Sequence, residues 1–297
     1  MSVEISICIA TWCRKQHLEK IIELLENQSL PQEKYEIIVC DSYSTDGTDL
    51  LMSNMCSKYS NIKYVNTEKN VLAAKRNLGI SVSQAPIVVF MDDDVYPTFH
   101  FVEAHLEAHK NTQNVVFCGQ VRFPEEWTKS SNYYKYRDRC HLSERHQEIH
   151  DNLPFYKIVV MNLSFKKDEL LNKVGLVNED FIGYGGEDLE FGYRICKSGL
   201  KLVYLKEALA YHHEMSPSII SFGEKYYRFG RDGGKVLNRV NPDILNHTQL
   251  SYFEDGNKGN IIFKVKRFII RFFVNRWLAN FIGYILVKTD HQSVFYF

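Results

Sequence analysis

The sequence predicts an α/β fold: a mostly parallel sheet flanked by helices, followed by a helical C-terminal appendage. Three observations carry this. Short apolar runs rich in β-branched residues alternate with amphipathic stretches from the start of the chain, which implies right-handed βαβ units. The uncharged run beginning at Ile87 ends abruptly in Asp92, Asp93 and Asp94, as a strand buried on both faces does where it meets a ligand crevice. After Pro217 the alternation stops, dividing the chain into residues 1–215 and 216–297.

Taken in order, Glu4 to Ala10 reads as a strand and Thr11 to Arg14 as its turn. His17 to Gln28 places Leu18, Ile21, Ile22 and Leu25 at helical spacing. Tyr35 to Cys40 is a second buried strand. The polar turn Asp41 to Thr48 follows it, then a helix through Met55. Ile62 to Val65 is a third strand, Leu72 to Val82 a helix, and Ile87 to Asp92 the fourth strand. Phe99 to Lys110 is the next helix and Val115 to Arg122 a further strand. Phe123 to Asp151 mixes aromatic and charged residues without a clean period and reads as a mobile loop or lid near the site. Leu153 to Ser164 reads as a strand, Asp168 to Lys173 as a short helix, Glu187 to Ser198 as a helix and Leu200 to Tyr211 as the last strand.

Lys+Arg and Asp+Glu balance at 36 each over 297 residues, so the overall charge predicts no nucleic-acid partner. Seven scattered cysteines without Cys-x-x-Cys spacing point to reduced thiols and away from a zinc site. No secretory leader is recognisable, which leads to the expectation of a cytoplasmic protein.

Two stretches promise chemistry. Three adjacent carboxylates at Asp92 to Asp94 repel one another unless a cation sits among them, and hard oxygen ligands suit Mg²⁺ or Mn²⁺ shared with a substrate's phosphates. An acidic helix cap would need one Asp alone. Further on, Gly183, Gly185 and Gly186 let the backbone approach a ligand or adopt positive φ just before Glu187 and Asp188 open a helix. The helix dipole accounts for those acids, but it does not account for the glycines.

The acidic turn resembles the Asp-x-Asp motif of GT-A glycosyltransferases, which implies that Asp92 faces the ribose and sugar of a nucleotide sugar, with Asp93 beside it, and that Asp94 ligates the metal. Ala10-Thr11-Trp12-Cys13-Arg14 and Asp41-Ser42-Tyr43-Ser44-Thr45-Asp46-Gly47-Thr48 resemble the nucleotide-binding turns of family 2 glycosyltransferases. By that resemblance Thr11 and Asp41 hold uracil and Arg14 belongs to the donor site, although Ser42 and Tyr43 depart from the pattern. Asn70 to Asn77 is similar to the family's Asn-Gly-x-x-x-Ala-Arg-Asn helix, which points Arg76 into the crevice; Lys75 departs from it and reads as a solvated lysine. Gly183-Tyr184-Gly185-Gly186-Glu187-Asp188 is similar to the Gly-Trp-Gly-Gly-Glu-Asp of β-1,4-galactosyltransferases and of bacterial chondroitin-type polymerases. That likeness implies Asp188 as general base, Glu187 on acceptor hydroxyls, and Tyr184, Gly185 and Gly186 against the acceptor. Tyr211-His212-x-Glu214 looks like the last metal-ligand strand of those polymerases, which selects His212 over His213.

In the tail, Ile219 to Val240 reads as a helix. Residues 261–287 are basic and apolar, with Lys264, Arg267 and Arg271 on one face, and their uncharged run is too short to span a bilayer. Contact with an anionic membrane surface is expected there, at the inner face of the cell membrane. The implied function is an inverting, metal-dependent transfer from a nucleoside diphosphate sugar, by resemblance a UDP-sugar, to a glycan or lipid-linked glycan acceptor in surface polysaccharide synthesis. Its rivals are an inert homologue acting as subunit or membrane adaptor, and a nucleotidyltransferase.

Overall fold

The computed structural model describes residues 2–141, 152–214 and 219–246. The first half follows the expected alternation: β1 (Ile5–Ala10), α1 (Lys15–Leu25), β2 (Tyr35–Asp41), α2 (Thr48–Lys58), β3 (Ile62–Asn66), α3 (Leu72–Val82) and β4 (Ile87–Asp92). After the short β5 (Val95–Pro97) come α4 (Phe101–His109), β6 (Val115–Arg122), α5 (Glu125–Ser130) and α6 (Asn132–Cys140). These lead to β7 (Asn162–Lys166), α7 (Lys167–Lys173), α8 (Glu187–Lys197) and β8 (Lys201–His212). One eight-stranded sheet results, in the order β3-β2-β1-β4-β7-β6-β8-β5.

Alternation along each central strand sorts side chains onto two faces. Ile5, Ile7 and Ile9 of β1 join Leu18, Ile21 and Ile22 of α1 and Phe101 of α4 in one core. Cys8, with Ile38 and Phe90, joins Ala73 and Ile80 of α3 and Phe191 and Ile195 of α8 in the other. Gly79 of α3 permits the close approach, since a Cβ there would meet Cys8 Cβ at 2.8 Å.

The expected fold class stands, with its parallel order kept among β1 to β4 and between β6 and β8. β7 runs antiparallel to both β4 and β6, and β5 antiparallel to β8. Two local readings need correction. Phe123 to His141 is not loop: Pro124 opens α5, and α6 is held by Arg122 to Asp138 at 2.8 Å and by Tyr134 against Phe123 and Trp127, while the rest of that expected lid, 142–151, lies outside the described residues. Helices of six and nine residues show too few turns for a period to emerge. Leu153 to Ser164 is not one strand either. Leu153 donates to the Leu202 carbonyl of β8, Pro154 then introduces a 3₁₀ turn at Phe155–Lys157, and the strand itself is Asn162–Lys166.

The C-terminal helix Ile219 to Val240 forms, but in three parts: α9 (Ile219–Arg228), a π turn (Phe229–Gly233) and α10 (Gly234–Val240). A last short helix, α11 (Asp243–Asn246), follows. Leu237 and Ile244 pack with Phe181 and Tyr193, so this part sits against the α8 side of the sheet domain. The expected surface helix at 261–287 lies outside the described residues. Among the described residues no helix is long and apolar enough to cross a membrane.

Candidate active site

The carboxyl ends of β1 and β4 lie side by side, because these strands pair in parallel with Ala10 opposite Asp92. Their following residues therefore meet: Thr11 Oγ1 donates to Asp93 Oδ2 at 2.8 Å. Arg14 Nη1 lies 2.6 Å from Asp94 Oδ2 and 3.3 Å from Asp93 Oδ1. Burial, with Asp94 and Asp92 adding to it, pushes the Asp93 carboxyl up to about 7 despite Arg14. Burial also works to raise Asp94, but His212 and Arg14 hold it well below the usual carboxylate range.

His212 reaches this turn by the antiparallel pairing of β8 with β5, which sets it opposite Val95. The backbone N–H of His213 donates to the Asp94 carbonyl at 2.7 Å, and His212 Nε2 lies 3.5 Å from Asp94 Oδ1. The side chain of His213 stacks on Tyr96 instead, with centroids 3.9 Å apart. On its other side His212 Nδ1 is 3.3 Å from His141 Nε2, and Phe123 stacks on its ring. Burial, with His212 and Arg137 nearby, pulls the His141 pKa down, so that imidazole is neutral.

Arg76 joins the two acidic segments. It projects from α3 and is buried, with Nη2 3.0 Å from Asp92 Oδ1, Nη1 3.0 Å from Asp188 Oδ1, and Glu187 Oε1 3.9 Å away. Burial opposes its charge, but Asp188, Asp92 and Glu187 more than restore it. The same burial raises both acids of the second segment, Glu187 with help from Asp188, and Asp188 with help from Asp92 against Arg76. Asp188 nevertheless keeps 39% of its side chain accessible. It faces the cleft as a carboxylate whose proton affinity exceeds that of a free Asp. Gly185 and Gly186 precede it with φ of 77° and 101°, a conformation that side chains rarely adopt. Tyr184 is 40% exposed, with the Arg228 guanidinium 5.6 Å from its ring centre.

Asp41, expected on uracil, sits at the carboxyl end of β2. It is fully buried, and its two oxygens accept from the Ser42 and Ser44 backbones, the Ser44 hydroxyl and the Tyr64 hydroxyl. These bonds close the turn and hold Tyr43 at φ 53°, with its side chain exposed. Lys75, read as solvated, is in fact buried: its Nζ donates to the Thr11 carbonyl at 3.0 Å and to Asn70 Oδ1 at 2.9 Å. Burial lowers its pKa, and Asp93 and Asp41 oppose that. A charged residue at a position of α3 where neighbouring side chains are small was the available signal. His141, and Arg137, which pairs with the buried Glu214 at 3.2 Å, had none, because both sit in a stretch without a period.

Among the described residues no three His, Cys, Asp or Glu side chains form a complete metal cage. The cleft instead offers one carboxylate and one imidazole facing each other, an arginine on the far oxygen, and a separate accessible carboxylate across a guanidinium bridge. A ligand that itself brings negative oxygens would complete such a site.

Residues 6–165 match Glycosyl transferase family 2. The chain is similar to a chondroitin synthase of Pasteurella multocida (strain Pm70), 28% identical over 246 residues that make up 72% of this chain and 25% of that protein. It is similar to a chondroitin synthase of Escherichia coli, 29% identical over 71% of this chain and 34% of that one. The match thus spans a quarter to a third of the length of these curated relatives. Among solved structures it is similar in fold to S. aureus TarS 1–349 in complex with UDP-GlcNAc. The TM-score is 0.53 at 18% identity, covering 75% of this chain and 64% of that one.

Proposed function

The chain belongs to glycosyl transferase family 2, and from that premise we propose that it moves a sugar, with inversion, from a nucleoside diphosphate sugar to a hydroxyl of a glycan acceptor. A UDP-sugar is the preferred donor. The observation that carries the reading is the Arg76 bridge, which ties Asp92 at the end of β4 to Asp188 at the start of α8 within one cleft.

On this reading the donor lies over the ends of β1, β2 and β4. Thr11, Arg14, Asp92 and Asp93 line its nucleotide and sugar, and Arg76 binds its diphosphate or braces the turn. Asp41 serves the donor indirectly, by shaping the turn that offers Tyr43 and backbone groups to the base. Tyr184, Gly185, Gly186 and Glu187 receive the acceptor. Asp188 takes the proton of the attacking hydroxyl as the acceptor oxygen bonds to the anomeric carbon from the opposite face. The bond from that carbon to phosphate breaks, and its electron pair leaves with the nucleoside diphosphate.

Asp94 and His212 fit a Mn²⁺ or Mg²⁺ ion. Asp94 Oδ1 is left by Arg14, which takes Oδ2, and faces the Nε2 of His212. Two protein ligands suit a cation whose other ligands come from the diphosphate and water. Such an ion would neutralise charge gathering on the leaving group. A lipid-linked acceptor, membrane contact through 261–287 and a place at the inner face of the cell membrane belong to the same proposal and rest on the tail's composition.

The test is UDP release from a panel of UDP-sugars with Mn²⁺, with and without oligosaccharide acceptors, for the native chain and Asp94→Ala. Metal-dependent turnover that falls about a hundredfold or more in Asp94→Ala is expected. Absence of turnover with every donor would overturn the reading in favour of an inert adaptor. Release of pyrophosphate in place of UDP would favour nucleotidyl transfer.

A further inference from the structure

The C-terminal helix meets the acceptor turn at one place, where it stops being an α-helix. Between α9 and α10 the π turn Phe229–Gly233 adds a residue to the coil. A Cβ on Gly233 would lie 1.9 Å from the Gly185 carbonyl oxygen, and one on Gly186 would lie 3.3 Å from Gly233 Cα. A Cβ on Gly185 would press on the Phe229 ring at 3.0 Å, and one on Gly183 would collide with Asp232 at 2.4 Å. The π turn therefore lies directly against the glycines ahead of Glu187 and Asp188: its Gly233 backbone meets Gly185 and Gly186, its Phe229 and Asp232 side chains meet Gly185 and Gly183, and the Phe181 ring would lie 2.9 Å from a Cβ on Gly186. Gly230, in the same π turn, has nothing within 4 Å and is exposed.

The extra residue has a geometric reason. α9 is tied to α6: Phe222 packs on Tyr133 and Tyr136 under the Arg137 guanidinium, and Lys225 Nζ lies 2.7 Å from Glu214. α10 is tied elsewhere, through Leu237 in the cluster with Phe181 and Tyr193. One residue turns an α-helix by about 100°, so an uninterrupted helix anchored at Phe222 would rotate Gly233 and Leu237 away from their partners. The π turn resets the phase, and both anchorages are met.

We propose that this π turn is the seat of the acceptor turn: it fixes Gly183 to Gly186 so that Asp188 is presented to the acceptor hydroxyl, which makes Gly233 and Phe229 positioning residues for acceptor use. This rests on the assignment of Asp188 to the acceptor side. The donor turns at Thr11 and Asp92 to Asp94 lie on other elements and do not depend on the contact.

The experiment compares the native chain with Gly233→Ala, the milder Phe229→Leu and the control Gly230→Ala. Gly233→Ala should lower kcat/KM for acceptor about ten- to a hundredfold, the scale of an ångström of misplacement at a reacting group. UDP binding and donor hydrolysis in water should stay within about twofold. Phe229→Leu should move the same way by a few fold, and Gly230→Ala should match the native chain. Hydrogen exchange gives a readout that needs no activity: the Glu190 amide, which donates to the Gly186 carbonyl at 3.0 Å, should lose protection in Gly233→Ala and Phe229→Leu, while the Asp92 amide, which donates to the Met161 carbonyl, keeps it. Native acceptor kinetics in both variants, parallel loss of UDP binding and transfer, or unchanged exchange at the Glu190 amide would each overturn the proposal. A native chain inactive on every donor would sink the transferase reading, and the exchange result would still decide this one.

Discussion

Arg76 is a single guanidinium serving three carboxylates, and its planar fork is what lets one side chain reach both Asp92 and Asp188. Arg76→Lys keeps the charge but cannot make both contacts, so activity should fall by roughly tenfold, and Arg76→Met by about a hundredfold or more. The Met variant should also lose about 1–2 kcal/mol of unfolding free energy. That is below the usual cost of breaking a buried pair, because Asp92 and Asp188 remain 25% and 39% accessible. A pH profile separates the two effects. Asp188 must be ionised to accept a proton, and its pKa is already raised, so activity falls on the acid side as pH drops through that pKa. Without Arg76 opposing the rise, the acid limb of kcat/KM should move to higher pH. Lys75 offers a second measurement. Lys75→Ala strands the carbonyl of the buried Thr11, so it should cost about 1–3 kcal/mol in denaturant unfolding and raise the donor KM.

Among the elements, α4 shows how a buried polar network is tied to pH. Its His105 lies within 2.9 Å of Ser164 Oγ and 2.8 Å of Asn162 Oδ1, and His109 Nε2 is 3.0 Å from the same hydroxyl. Burial lowers these histidines to about 4 and about 3. Their folded pKa values lie below the ordinary 6.5, so the neutral forms favour the folded chain. Their contribution is whole above about 6.5 and is lost as pH falls toward 4 and then 3. Unfolding free energy should therefore drop by a few kcal/mol between pH 7 and pH 4, and His105→Gln should flatten much of that slope. An unchanged slope in the variant would assign acid sensitivity to other groups. β7 carries Asn162 and Ser164 between β4 and β6, so a strand that runs antiparallel to both its neighbours is also the one α4 is bonded to.

At the scale of the molecule, two structures converge on one cleft. The parallel half of the sheet presents the ends of β1, β2 and β4, while β8, α8 and the C-terminal helix bring His212, Asp188 and the turn ahead of it. The tail adds a separate expectation. Replacing Lys264, Arg267 and Arg271 by Gln should weaken binding to vesicles containing phosphatidylserine by about a hundredfold at low salt, taking about 1 kcal/mol for each basic residue at the surface. Turnover of soluble substrates should stay unchanged. Equal binding of both proteins to anionic and neutral vesicles would refute the membrane contact.

The sequence by itself determined what depends on neighbours along the chain. The first four strands, α3 to the residue, the acidic turn after β4 and the glycine-acid turn before α8 were all legible, because period, turn chemistry and charge are local. The tertiary structure alone decided which of these meet. Arg76 and Asp188 are 112 residues apart, and Gly233 and Gly185 are 48 apart. The burial of Lys75, the turning inward of Asp41 and the placing of His141 beside His212 likewise follow from what packs around them. A residue's type states which partners would satisfy it, whereas only close packing of distant segments determines which partner arrives and what solvent is left.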